Sequence, residues 1–541
     1  MRTERLGVLV PLAPALALAA CAATGGAPAR TVATIERDYP ALRWVPAGAS
    51  YVLAAGRVDQ GVRAARELAD LAAIAGGATA DELDRWLRGE LGASPLDEAD
   101  LAGAGIDLHA SAALFAQAGF PTAALPVADA GRLRGFLARH RPAGDAAAST
   151  RRGEAATSWS IGDWRLSWAM HGRWLFVHLG PRGEGEGWLD RVVAAPDAGL
   201  AADPDLAAAA DRGRRALGDR ATRPPRAPGL VGLVRAAALA RDLAGWSGAP
   251  DGLAGCARRA SAAAPLLSWA ADFSRGRGAV WAAIDLAPAA ARALRAHIAP
   301  PPPPGYRAYR AAAAVAVDWS LELDWLERVR ARLACPLLDQ PIRDPVREAT
   351  GFRGPRAWHV AATSIDPGDL SGAGAAHVIL ADPGLIAAQL ESIPGRSLFE
   401  RSRRIAGQRV QVLSVPGLPT IAYRQAGEAF TLAVGDGVME EVLAPAAPAP
   451  RDGEAGLEVA RVAIAPPRLP ALGAIVDAAL SALAGPPPRP SGRIIAARLS
   501  RYDEAALSAR LDGNSVAISA TMRLARTGRF LPTRLRRTSL W

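Results

Sequence analysis

The sequence predicts an α+β protein made of two tandem pseudo-repeats, each a mainly antiparallel sheet with helices packed on one face. Three observations lead to that class. Proline-rich punctuation falls at 222–229, 300–305, 444–456 and 485–492, where a locked φ and a missing N–H donor favour loops. Segments then reappear in the same order at spacings of roughly 250 residues. Ala123–Leu137 matches Ala376–Leu390, and Gly105–Ala118 matches Gly351–Ser364. Trp188–Val193 matches Val438–Leu443, and Gly229–Leu243 matches Gly456–Leu469. Finally, apolar runs of strand length come as neighbours and do not alternate strictly with helical stretches, which favours antiparallel pairing.

In chain order, residues 1–20 read as a processing signal. Arg2 and Arg5 precede an apolar stretch from Leu6 to Ala20. That stretch is too short to span a bilayer, which takes roughly 20 residues, but it suits a signal-peptide core. The stretch ends in "LAAC" (Leu18–Cys21), which resembles the lipobox of bacterial lipoproteins. The resemblance implies cleavage between Ala20 and Cys21, acylation of Cys21 and anchoring through that lipid. Ala22, not Asp, follows the cysteine, which in Gram-negative lipoproteins implies the outer membrane, facing the periplasm or the cell surface. Residues 21–34 are then the lipidated cysteine and a tether.

The first repeat is expected over 35–299. Runs such as "SYVLAAGRV" (Ser50–Val58), "AALFAQA" (Ala112–Ala118) and "GAVWAAIDL" (Gly278–Leu286) suit strands. Val58–Ala75, Asp81–Leu91 and Ala130–His140 show helical spacing, the last behind a cap residue at Asp129. Residues 300–305 form a linker, 306–525 the second repeat and 526–541 a basic tail. The body resembles uncharacterised duplicated α+β envelope proteins.

All 63 basic residues are arginine, and Asn occurs once, at Asn514. A GC-rich genome explains that bias, so the net charge of +10 is weak evidence for an anionic partner, and no nucleic acid is expected. The absence of lysine excludes a P-loop, a Schiff-base lysine and a Ser-x-x-Lys nucleophile. Beyond Cys21, an even pair remains, Cys256 and Cys335. Outside the cytoplasm such a pair suggests one disulfide, with two separate buried thiols as the alternative. Seven histidines are scattered without metal-ligand spacing, so neither a metal nor a cofactor is expected. His109 and His359 lie in corresponding segments and read as strand residues. "LDEADL" (Leu96–Leu101) reads as helix capping.

Four of the 14 tryptophans stand in Ser158–Leu179. A hairpin turning at His171-Gly172 sets Trp168 opposite Leu175 and Trp164 opposite Leu179, an apolar face expected to be core. Its duplicate, turning at Ala426-Gly427, sets Tyr423 opposite Phe430. The other face carries Trp174, Phe176, His178 and Arg165. It is either covered by a helix or left open as an aromatic ligand face. The sequence therefore predicts a membrane-anchored, non-catalytic envelope scaffold whose partners are the membrane, other envelope proteins or a lipid ligand. A hydrophobic-ligand carrier is the alternative, and a hydrolase-like enzyme comes third.

Overall fold

The computed structural model describes residues 32–524, leaving out 73–78, 140–145, 152–153, 162, 183–186, 195–199, 201–202, 218–226, 247–251, 275–276, 337–352, 367–370, 385, 387–388, 390–394, 445–455, 469–501. The expected signal peptide, Ala20, Cys21, most of the tether and the tail 526–541 lie outside the described residues.

The chain opens with α1 (Val32–Asp38) and a 3-10 turn at Pro40–Trp44. There follow β1 (Tyr51–Ala55), α2 (Val58–Ala72), α3 (Ala80–Leu91), α4 (Glu98–Gly103), β2 (Ala112–Gln117), β3 (Phe120–Pro126) and α5 (Ala130–Arg139). Next come β4 (Ala146–Arg151), β5 (Glu154–Ile161), β6 (Trp164–His171), β7 (Trp174–Pro181), α6 (Gly187–Ala194) and α7 (Pro204–Leu217). The first half closes with β8 (Leu230–Arg235), α8 (Ala236–Gly245), α9 (Leu253–Ala263), β9 (Leu266–Ser274), β10 (Arg277–Asp285) and α10 (Pro288–Ala296).

The second half runs α11 (Pro304–Ala312), β11 (Val315–Trp319), α12 (Leu323–Leu333), β12 (Ala357–Asp366), β13 (Ser371–Ile379) and α13 (Arg396–Phe399). It continues β14 (Glu400–Ile405), β15 (Gln408–Leu413), β16 (Ile421–Ala426), β17 (Ala429–Val434), α14 (Val438–Leu443), β18 (Leu457–Ile464), β19 (Tyr502–Asp512) and β20 (Ser515–Leu524). The expected linker thus ends inside α11, which starts at Pro304, proline being at home in a first helical turn. Gly305 follows because a Cβ there would meet the Val442 carbonyl oxygen at 2.3 Å.

Every strand pairing among the described residues is antiparallel. From one edge the first half reads β4-β5-β6-β7-β3-β2-β1-β8-β9-β10. From the other edge the second half reads β14-β15-β16-β17-β13-β12-β11-β18-β19-β20, the same order strand for strand. The halves meet where β10 pairs with β20. Aligning the β9–β10 and β19–β20 hairpins places Trp281 on Ser519, and those two residues are cross-strand partners. A pseudo-two-fold axis therefore passes through that pair.

The α+β class and the antiparallel pairing are those expected, but the single helical layer becomes two. On one face α1, the 3-10 turn, α6 and α7 bury Ile35, Trp44, Trp188 and Leu206 against Val52, Phe115, Phe176 and Leu233. On the other, α2 and α5 bring Val62 and Leu133 onto Leu175 and the half-buried Trp168 and Val177, and α8 adds Leu239 and Leu243. Strand residues alternate between faces, so both apolar sets have to be covered. In the second half, Tyr306 and Tyr309 of α11 and Met439 and Val442 of α14 cover Ala361, Val410 and Ala433.

The two hairpins turn one residue later than expected. His171 pairs with Trp174 and Ala426 with Ala429, with Gly172 (φ 57°) and Gly427 (φ 60°) supplying the left-handed backbone of each turn. Trp168 consequently faces Val177, and Tyr423 faces Leu432. A shift of two positions keeps each side chain on its predicted face, because the side-chain period of a strand is two.

Candidate functional site

Several second-half strands carry one ionisable residue inside an apolar or small-residue run: Asp318 in "VAVDW" of β11, His359 in "AWHVAA" of β12 and His377 in "GAAHVI" of β13. Register brings them together. Asp318 pairs with His359, His359 with His377, and His377 with Thr431 of β17; Arg461 of β18 and Arg424 of β16 complete the rung. Cross-strand partners share a face, so six polar side chains line one rung on the face that α11 covers. Asp318, His359, His377 and Thr431 are all buried.

The first half shows what that rung would otherwise hold. With Gly172 placed on Gly427, the pairings carry Phe176 to Thr431 and the remaining strands follow. The equivalent rung is Val231, Ala54, Ala113, Ala124, Phe176 and Ala169, apolar throughout and buried throughout. Trp44 packs edge-on to Phe176 with ring centres 5.3 Å apart. In the second half Tyr306 takes the covering role, 6.1 Å from the His359 ring and 6.5 Å from that of His377.

The polar rung is internally paired. His359 Nδ1 lies 3.1 Å from Asp318 Oδ1, and the Tyr306 hydroxyl reaches the same oxygen at 3.5 Å. Arg310 of α11 donates to Asp318 Oδ2 and grips Glu458 of β18 through two bonds of 2.6 and 3.1 Å. Arg510 stands 3.9 Å from Glu458. His377 Nδ1 is 3.0 Å from the Thr431 hydroxyl. Burial, helped by the neighbouring His359 and Arg424, pushes the His377 imidazole down to about 4, so it is neutral near pH 7. Burial and the Asp318 charge raise the Tyr306 phenol well above its usual range. The His359 Nε2 atom is buried without a hydrogen-bond partner.

The network surfaces in a cavity of about 190 Å³ lined by Arg307, Arg310, Ser320, Leu457, Glu458 and Arg510. Three guanidinium groups meet one carboxylate there, a donor set suited to an oxyanion. Arg310 belongs to both places: one side binds buried Asp318 and the other fronts the cavity. Among the described residues no group of three or more His, Cys, Asp or Glu is arranged to hold a metal ion.

The face that carries Trp174, Phe176, His178 and Arg165 is covered and not left open. Phe176 and His178 are buried, and Trp174 is half-buried against Trp44. His178 bonds Thr122 at 2.7 Å and stacks on Trp188, while Arg165 bonds Ser158 at 3.0 Å. No open ligand face forms: α6 and the 3-10 turn cover it. The opposite face, expected to be the deep core, keeps Trp164, Leu166 and Trp168 only half-buried. The two faces thus exchange depth.

His359 is a strand residue as expected, whereas His109 lies in the loop before β2, beside Arg57. Asp97 caps α4 by accepting from Ala99 and Asp100, and Asp129 accepts from Arg132 at the start of α5. Cys256 of α9 and Cys335 just beyond α12 have Cα atoms 4.9 Å apart, within disulfide reach. Beside them Arg259 donates to the Leu333 and Ala334 carbonyls, tying the two halves together. The sequence reading missed Asp318, Arg310, Glu458 and the His377–Thr431 pair. The available signal was a lone polar residue at the centre of an apolar strand.

No family model matches the chain, and no curated protein does. Two solved structures of TP0453, a Treponema lipoprotein, are similar over part of it. Crystal form I shares 10% identity over 46% of this chain and 78% of that one, with a TM-score of 0.23. Crystal form III shares 12% over 48% and 88%, with a TM-score of 0.24. A likeness of that extent carries no functional argument.

Proposed function

We propose that the protein is a non-catalytic envelope lipoprotein, anchored through an acylated Cys21, and that its second half is the binding half. The ligand is a small oxyanion, a carboxylate or phosphate group, received in the Arg307–Arg310–Arg510 cavity. The contrast between the two rungs carries this reading. One half folds with alanine at the positions where the other places Asp318, His359 and His377, so the fold does not require those side chains. Buried ionisable groups are costly unless paired, and groups kept at such a cost mark a site.

Two features favour a binding scaffold over the alternatives. His359 Nε2 is enclosed, so a substrate in the cavity does not reach it. The cavity is small for an acyl chain, and beside Ile298, Pro301 and Pro302 it presents three arginines, which suit an oxyanion.

The test is calorimetric titration of inorganic phosphate into the chain beginning at Ala22, which keeps every described residue. Arg510→Gln should weaken binding by about tenfold, the usual weight of one charged hydrogen bond. Asp272→Asn, at the equivalent place in the first half, should leave it unchanged. Equal affinity for wild type and Arg510→Gln would sink the site. The anchor has its own check: with Cys21→Ala, the membrane-bound protein should become extractable by 0.5 M salt. A continued need for detergent would place the anchor elsewhere.

A further inference from the structure

At the outer edge of the second half, a short segment combines two features that packing leaves unexplained. Leu398 is 80% exposed, Leu418 50% and Phe399 40%. They belong to one end of the β14–β15 hairpin: the Phe399 carbonyl accepts from Ser414, and Leu418 closes the turn that follows β15. Along the same hairpin Arg401, Arg403, Arg404 and Arg409 are exposed, with Arg404 directly opposite Arg409. Between Gly395 and Leu418 the only acid is Glu400, and it is already engaged. Arg396 donates to Glu400 at 2.8 Å and to the Tyr423 hydroxyl at 2.6 Å, and that hydroxyl donates to Glu400. This clamp fixes α13 to the sheet and leaves the four outer arginines without an ion pair among the described residues.

An edge strand gains from charge because charge discourages pairing with a second sheet. That accounts for arginines on both faces of the edge, Arg401 and Arg403 on one and Arg404 and Arg409 on the other, but not for three exposed apolar side chains at its end, which invite association. Three side chains fall well short of the roughly 800 Å² per partner that a standard protein interface buries. Shallow apolar insertion beneath a ring of cations is instead the arrangement that suits a lipid interface.

We infer that the β14–β15 edge, through Leu398, Phe399 and Leu418 with Arg401, Arg403, Arg404 and Arg409, is a docking surface for an anionic membrane. The apolar groups enter the headgroup region and the guanidinium groups bind lipid phosphate. This contact is separate from the Cys21 anchor and from the Arg310–Arg510 cavity. It orients the molecule: a lipid at the N-terminus tethers the chain, and the far edge of the second half lies down on the bilayer.

Vesicle flotation of the chain beginning at Ala22 tests this, because that chain carries no acyl group. It should float with phosphatidylglycerol–phosphatidylcholine vesicles at 0.1 M salt and not with phosphatidylcholine alone. Replacing the four arginines by Gln should lower partitioning about 600-fold, since each contributes about fivefold near an anionic surface. Leu398→Ser, Phe399→Ser and Leu418→Ser together leave the charge unchanged and should lower it about tenfold. All seven sites are exposed, and near-UV circular dichroism checks that both variants keep the fold. Equal flotation with both lipid mixtures, or none with either, overturns the proposal. So does wild-type flotation by either variant, which would assign the binding to the basic residues after Arg523.

Discussion

Asp318→Ala is expected to lower stability by about 3–5 kcal/mol, the range for removing one partner of a buried ion pair. The carboxylate is fully buried and answers Arg310, His359 and Tyr306 together. Its loss leaves a guanidinium with half of its partners and an imidazole N–H with none. The sharper result is the comparison with the combined Asp318→Ala, Arg310→Leu, His359→Ala and His377→Ala chain. That chain adopts the apolar character of the first half, so it should be more stable than the single variant. Urea unfolding followed by tryptophan fluorescence reads both. A single-variant cost below about 1 kcal/mol would mean that the network contributes little, because that is the scale of an exposed pair.

Stability should also fall steeply on acidification, with His377 the main cause. Its pKa drops from 6.5 in the unfolded chain to about 4 in the fold, where His359, Arg424, Tyr306 and Thr431 surround it. As pH falls the unfolded chain takes up that proton first. The contribution is therefore complete above pH 6.5 and is lost as pH falls through 4. The size is about 3 kcal/mol, given roughly 1.4 kcal/mol per pKa unit. His377→Ala, which installs the Ala124 of the first half, should flatten the unfolding midpoint between pH 7 and 4. An equally steep profile in that variant would shift the cause to another group.

Much of the architecture was legible because it depends on short-range pattern. The ordered recurrence of segments such as Ala123–Leu137 and Ala376–Leu390 gives a duplicated α+β fold, and period-two alternation put Trp168 and Phe176 on opposite faces. Depth was not legible. Both faces of the β6–β7 hairpin are apolar, and alternation alone does not say which one ends deeper. The structure buries Ala169 and Phe176 and leaves Trp164 and Trp168 half-buried. The polar rung was hidden for a related reason. Asp318, His359, His377 and Thr431 are separated in sequence by 18 to 54 positions, and only the registers of four adjacent strands align them. His359 taken singly looked like a strand residue, which it is.

The Trp281–Ser519 pairing has a consequence for how the two halves can differ. A strand that pairs antiparallel with its own equivalent is the contact that two identical subunits make across a symmetry axis. In a homodimer built on that joint every substitution enters both subunits, so a buried Asp-His-His-Thr rung would have to be tolerated twice. Joined in one chain, the subunits can be altered one at a time. One keeps the alanine interior that holds the shared sheet together, and its twin is free to trade stability for chemistry.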